Sequence, residues 1–156
     1  MKKPTVIEDY WRAFLGSASA KTGEISDRYE TWHFCDDRDS ADKLASLVIA
    51  GVKTATSSLV WTYEAENEAL PVAGNISIIT NWDGDPVCII ETMEVQIHPF
   101  NEVSAQTAWD EGEGDRSLEY WRGVHWDYFS RECASLGREP AETMPVINEW
   151  FRVLYP

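Results

Sequence analysis

Apolar residues at Val6, Ile7, Tyr10, Trp11, Phe14 and Leu15 recur at spacings of three and four, which predicts an amphipathic helix over residues 4–15 with Pro4 suited to its first turn. Gly16 to Lys21 is small and polar and reads as a loop. Thr31 to Cys35 predicts a short strand. A helix follows over Asp39–Ile49, with Leu44, Leu47 and Val48 apolar, Ser40 as its N-cap and Gly51 at the left-handed exit. Val60 to Glu68 reads both ways, since Trp61 and Tyr63 alternate while Glu64, Ala65, Glu66 and Glu68 favour helix. Two strands, Asn75–Asn81 and Pro86–Ile97, flank the hairpin signal Asp83-Gly84. A short helix is expected from Ser104. A longer one starts at Ser117 and ends at Gly137, with Leu118, Trp121, Val124, His125 and Tyr128 to one side and Glu119 and Glu132 outward. Pro145 to Tyr155 alternates as a last strand, with Val146, Asn148, Trp150, Arg152 and Leu154 on one face.

Strands and helices mix without a βαβα rhythm, which favours an α+β fold over a doubly wound sheet. The chain has 156 residues and no repeat, low-complexity tract or linker. A single domain of this length buries about 68–70% of its unfolded surface. Thirteen basic and 27 acidic residues give a net charge of −14. That is no basic footprint for nucleic acid, and long duplex DNA would be repelled, so any RNA contact must be local or short. Cys35, Cys88 and Cys133 are widely spaced and odd in number, which points to reduced, buried thiols and a cytoplasmic setting. No apolar segment follows Met1-Lys2-Lys3, so no secretory signal is expected, and no apolar run is long enough for a membrane span.

The chemistry concentrates in two places. Lys53, Thr54, Thr56, Ser57 and Ser58 bring one lysine and four hydroxyls within six residues after a helix end. Strict alternation would separate Lys53 and Ser57 from Thr54 and Thr56, and a bulge would reunite Lys53 with Thr56. The set reads as a nucleophile with its base, as an anion cradle, or as a hydroxyl-rich edge strand with a solvated lysine. Lys53 is a base if desolvation lowers its proton affinity, and an anchor if a carboxylate beside it keeps it charged. The second place is the acidic loop Asp110–Asp115, with Glu111 and Glu113, and the helix after it with Arg122 and His125. Arg122 suits a bidentate phosphate clamp or a salt bridge, and His125 a proton shuttle or a packed ring. The acids Asp83, Asp85, Asp110 and Asp115 have no recognisable metal-ligand spacing, and neither a metal nor a cofactor is expected.

Gly51-x-Lys53-Thr54-x-Thr56-Ser57 resembles the signature of the ASCH family, small PUA-like β-barrel proteins. The runs Leu70–Ile79 and Pro86–Val95 resemble its barrel strands, and Glu111-Gly112-Glu113-Gly114-Asp115 with Trp121-Arg122-x-x-His125 its acidic loop and following helix. The resemblance implies an α+β, PUA-like β-barrel of mixed strands with flanking helices. It covers residues 31–156 of a single domain, with residues 1–30 a helical addition. It also implies a nucleoside or short single-stranded RNA as partner. Three activities follow from it: hydrolysis of N4-acylated cytidine-like nucleosides, non-catalytic RNA binding, and ribonuclease cleavage. In the hydrolase reading the family's Lys, Thr and Glu map to Lys53, Thr56 and Glu113, with Glu111 the alternative glutamate. Thr54, Ser57, Trp61, Tyr63, Trp82, Arg122 and His125 would then contact substrate. In the ribonuclease reading Lys53 stabilises phosphoryl charge, and His125 or a divalent ion moves the proton.

Overall fold

The computed structural model describes residues 5–17 and 28–156. Pro4 and the loop expected over residues 18–21 lie outside them. The elements run α1 (Val6–Leu15), β1 (Glu30–Trp32), α2 (Arg38–Ile49), β2 (Ala55–Leu59), α3 (Val60–Ala65), β3 (Ile76–Thr80), β4 (Pro86–Pro99), a 3₁₀ turn (Phe100–Glu102), α4 (Ala105–Glu111), α5 (Leu118–Ser135) and β5 (Pro145–Tyr155). Among the described residues, five strands in the order β1-β3-β4-β5-β2 form a curled half-barrel, with β1 parallel to β3 and every other pair antiparallel. The expected α+β, PUA-like architecture is what the chain adopts.

Three apolar clusters hold the helices to this sheet. Trp11 and Phe14 of α1 pack on Ile76, Ile78 and Ile89, so the N-terminal helix buries its apolar stripe on β3 and β4. Ala45 and Val48 of α2 pack with Ile79, Cys88, Ile90 and Phe151. Leu59, Val146, Met144, Trp121 and Phe129 join the β2–β5 end to α4 and α5. Along β5 the residues Val146, Ile147, Asn148 and Glu149 are all buried, because elements cover both faces there.

Local chemistry sets several boundaries differently from the sequence reading. Helix α2 starts at Arg38, and Asp37 caps it by accepting the Ser40 N–H at 2.9 Å, so Ser40 lies inside the helix. Strand β1 ends at Trp32, short of Cys35, whose φ of 59° turns the chain toward α2. The ambiguous segment Val60–Glu68 resolves as the short helix α3 over Val60–Ala65, with Glu66 capping it and Glu68 beyond its end. Glu132 is half-buried instead of outward, accepting from Thr62 and Tyr128 at 2.8 Å each. Cys88 and Cys133 are buried, whereas Cys35 is half-buried; all three are free thiols.

Candidate functional site

Helix α2 ends in a Schellman motif. Gly51 takes φ 75°, its N–H reaches Val48 O, and the Val52 N–H reaches Leu47 O at 3.0 Å. The Lys53 N–H also bonds Leu47 O, which delays the start of β2 to Ala55. Lys53 therefore leaves the strand alternation. Its side chain turns inward until the residue is only 2% exposed, with Nζ 5.3 Å from the centre of the Phe34 ring.

A charged partner awaits it at the end of α4. Glu111 is 1% exposed, and its Oε1 lies 3.4 Å from Lys53 Nζ. Its Oε2 accepts the Ser57 hydroxyl at 2.7 Å and the indole N–H of Trp121. Asn148 completes this chain by donating to Ser57 Oγ at 2.7 Å. From α5, His125 Nε2 stands 3.5 Å from Glu111 and 3.8 Å from Glu113, while its Nδ1 meets the Trp121 carbonyl at 2.9 Å. A carbonyl and a carboxylate only accept, so this arrangement suits an imidazolium. Burial alone would raise the Glu111 carboxyl, but the His125 and Lys53 charges and the bonds from His125 and Trp121 outweigh it and draw it down to about 2. Burial would likewise lower His125, and the Glu111 and Glu113 carboxylates overcome it and hold His125 above its ordinary value.

This network opens on a cavity of about 540 Å³, within the range that encloses a small ligand. Lys53, Thr56, Ser57, Tyr63, Glu111, Glu113 and His125, all expected in the site, line it together. Four other expected residues lie outside. Thr54 is exposed and donates its hydroxyl to Asp110 O at 3.2 Å, because it is the last residue before β2 and points away from Lys53. Trp61 packs on the Leu59–Phe129 core with the Arg138 guanidinium 3.6 Å from its ring centre. Trp82 sits in the β3–β4 turn and tilts against His33, 5.0 Å between rings. Arg122 is about 100° around α5 from Trp121 and lines a shallower depression with Tyr120 and Trp126.

Sheet residues missed in the sequence complete the cavity. Ser77 of β3, Thr92 of β4 and Glu149 of β5 all line it, with Asn75 before β3. Thr92 donates its hydroxyl to Glu149 Oε1 at 3.2 Å. Glu149 is 9% exposed, and burial raises its carboxyl to about 7, opposed by the Thr92 bond and assisted by the charge of Glu30. The signal was a polar pair, Asn148-Glu149, set into an otherwise apolar strand. The cavity thus holds two carboxyls in opposite states at pH 6, Glu111 ionised and Glu149 largely neutral, a separation typical of acid–base sites.

The raised carboxyl has a consequence for stability. Its ordinary value is 4.5, so between pH 4.5 and 7 the unfolded chain gives up a proton that the folded chain keeps. Wild-type stability therefore falls as pH rises through that window. Glu149→Gln is expected to gain about 2–3 kcal/mol on wild type between pH 5 and pH 8. Thermal melts at the two values measure this, and an equal gap at both would mean that Glu149 is not desolvated.

Glu111, Glu113 and His125 place ligand atoms within 4.8 Å of one another, as do Cys35, Asp36 and Asp37. A cation at the first trio would compete with the Lys53 ammonium and with the His125 proton. In the second, Asp36 is held by Arg131 at 2.8 Å and Asp37 caps α2.

The mixed five-stranded curled half-barrel with its flanking helices is a PUA-like fold. The sequence profile of the ASCH domain matches residues 30–155, and the chain belongs to the ASCH family, whose members are in general RNA-binding. It is similar to the crystal structure of an ASCH domain from Lactobacillus crispatus JV V101, at 38% identity over 96% of each chain and a TM-score of 0.84. It is also similar to a protein from Enterococcus faecalis V583, at 32% identity over 96% of this chain and 88% of that one, TM-score 0.85. No protein of curated function matches it. No helix among the described residues is long and apolar enough to cross a membrane.

Proposed function

We propose that this ASCH domain takes a single nucleoside, or the end of a short RNA strand, and hydrolyses an acyl amide on its base, with N4-acylated cytidine as the substrate class. The observation that supports this reading is the meeting of Lys53, an ionised Glu111 and the Thr56 and Ser57 hydroxyls at one nucleoside-sized cavity. Glu111, rather than Glu113, takes the glutamate's place, because it contacts Lys53 directly. A carboxylate 3.4 Å from Nζ also favours Lys53 as a donor over Lys53 as a resting base. Lys53 then points an N–H at the acyl oxygen and stabilises the charge that builds there. Thr56 Oγ1 attacks the acyl carbon, and its proton passes to the departing exocyclic nitrogen, directly or through one water. Water then cleaves the acyl-threonine ester and releases the acid.

Turnover of N4-acetylcytidine by wild type, Lys53→Ala and Thr56→Ala tests this. The expected result is free cytidine from wild type and a loss of at least about 100-fold in each variant. Full turnover in either variant would remove that residue from the chemistry. The general character of the family favours a second reading, non-catalytic binding of short RNA. It is carried by wild type that binds single-stranded oligonucleotides, more weakly at high salt, and makes no product. Cleavage of the same oligonucleotides would instead indicate a ribonuclease, one using a bound divalent ion if a chelator abolishes it and His125 if it does not.

A further inference from the structure

Glu149 stands where a ligand's polar edge would have to be recognised. Register places it directly across from Thr56 in the β2–β5 pair, so the two side chains share a face with Cβ atoms about 5 Å apart. One oxygen accepts from Thr92, and no other hydrogen bond among the described residues reaches its carboxyl. The lysine–carboxylate network on the helix side does not use it.

Resting on the nucleoside reading above, we propose that Glu149, braced by Thr92, is the base-reading residue of the cavity and selects a planar edge that carries one donor beside one acceptor. A neutral carboxyl has one O–H to give and one oxygen to accept with. It pairs with N3 and the N4–H of cytosine, and equally with the mixed edges of uracil and adenine. Guanine offers a mixed edge too, O6 beside N1–H, but its two adjacent donors, N1–H and N2–H, suit an ionised carboxylate and give it a partner at pH values where the other bases lose theirs. Held this way, a cytosine brings its exocyclic nitrogen alongside Thr56, so the reading contact and the attacking hydroxyl fall on neighbouring strands.

The state of the reader depends on its surroundings. Burial favours the neutral form to about pH 7, Thr92 opposes it and Glu30 of β1 assists it. Besides Glu30, the other titratable groups at the cavity are His33 and Cys35 after β1, Lys53 before β2, Tyr63 of α3, Glu68 after it, Glu111 of α4, Glu113 after it, and His125 and Tyr128 of α5. Of these, the two imidazoles, His33 and His125, are the rival sources of pH dependence near neutrality, and both are unchanged in a Glu149 variant.

Calorimetric titration of the full chain with cytidine and with guanosine at pH 6 and pH 8 tests the inference. Wild type is expected to bind cytidine about tenfold more weakly at pH 8, following the loss of neutral Glu149, while guanosine does not weaken. Glu149→Gln keeps a donor and an acceptor, so it should hold cytidine equally at both pH values, and Glu149→Ala should bind poorly at both. Thr92→Val removes the bond that favours the ionised form and should move the cytidine midpoint to higher pH without removing binding. Identical pH dependence in wild type and Glu149→Gln would assign the effect to a cavity histidine and overturn this inference alone. Failure of wild type to bind any nucleoside at either pH would overturn the nucleoside reading and this one with it. Cytidine binding that follows the expected pattern, with no hydrolysis of its acylated form, would sustain the reader and sink only the chemistry.

Discussion

Replacing Glu111 with alanine is expected to destabilise the protein by about 3–5 kcal/mol at pH 7, the cost of leaving a buried charge without its counter-charge. Four groups converge on this carboxylate: Lys53, His125, the Ser57 hydroxyl and the Trp121 indole N–H. Lys53 and His125 are 2% and 7% exposed, so water cannot replace what the substitution removes. Glu111→Gln should cost less, since its oxygen still accepts from Ser57 or Trp121 while the charge is lost. The pH dependence has a definite sign. The folded carboxyl titrates at about 2 against an ordinary 4.5, so the wild-type advantage is fully present above pH 4.5 and disappears as pH falls toward 2. His125, held above its ordinary 6.5, adds stability that is complete below 6.5 and is lost as pH rises through its folded value. Urea unfolding of the three proteins at pH 3, 5.5 and 7 measures both limbs. A cost under about 1 kcal/mol at pH 7 would reduce the buried pair to the worth of a surface one.

Gly112→Ala should damage both fold and site. Gly112 ends α4 at φ 72°, a conformation that costs an L-residue about 1–2 kcal/mol. A Cβ there would also lie 2.6 Å from the Val52 carbonyl oxygen and 2.8 Å from its carbon. Both are backbone atoms, so no side chain can turn aside, and the two segments must separate. Overpacking of this kind adds about 1–3 kcal/mol, for a total of about 2–5 kcal/mol. Val52 immediately precedes Lys53, and Glu111 immediately precedes Gly112. The same separation therefore pulls the lysine from its carboxylate, and turnover or nucleoside binding should fall with stability. Gly51→Ala is the control: its φ of 75° is similar, but a Cβ meets nothing within 4 Å. It should lose only the conformational term. Equal melting temperatures for the two variants would refute the steric account.

Most elements were legible through local signatures, with α3, the start of α2 and the end of β1 the exceptions. Apolar residues spaced by three and four mark α1, which starts at Val6 behind the Thr5 cap instead of at Pro4, Ser104 and Ser117 cap α4 and α5, and the Asp83-Gly84 turn joins β3 to β4. The Lys53–Thr56 set was legible through its spacing and its likeness to a family signature. Its partner was harder to choose, because Glu111 and Glu113 differ only in where the turn at Gly112 sends each side chain. Thr92 carried no local signal, and Glu149 carried only the weak one of a polar pair, Asn148-Glu149, inside an apolar run. They meet only after β5 inserts beside β4, and a lone acid in a strand reads as a solvent-facing residue until both faces prove to be covered. Trp61 and Trp82 mislead for a related reason: an aromatic near a motif in sequence is no nearer to it in space.

Strand β5 follows every other strand in chain order, yet it sits inside the sheet between β4 and β2. During synthesis from the N-terminal end, β1, β3 and β4 can pair among themselves while β2 waits with both edges open. The half-barrel closes only when residues 145–155 leave the ribosome. Asn148 and Glu149 arrive on that same strand, so a nascent chain holding Lys53, Thr56 and Glu111 has no competent cavity until its final strand docks. The inner edges of β2 and β4 are the surfaces that a chaperone would have to shield in the interval.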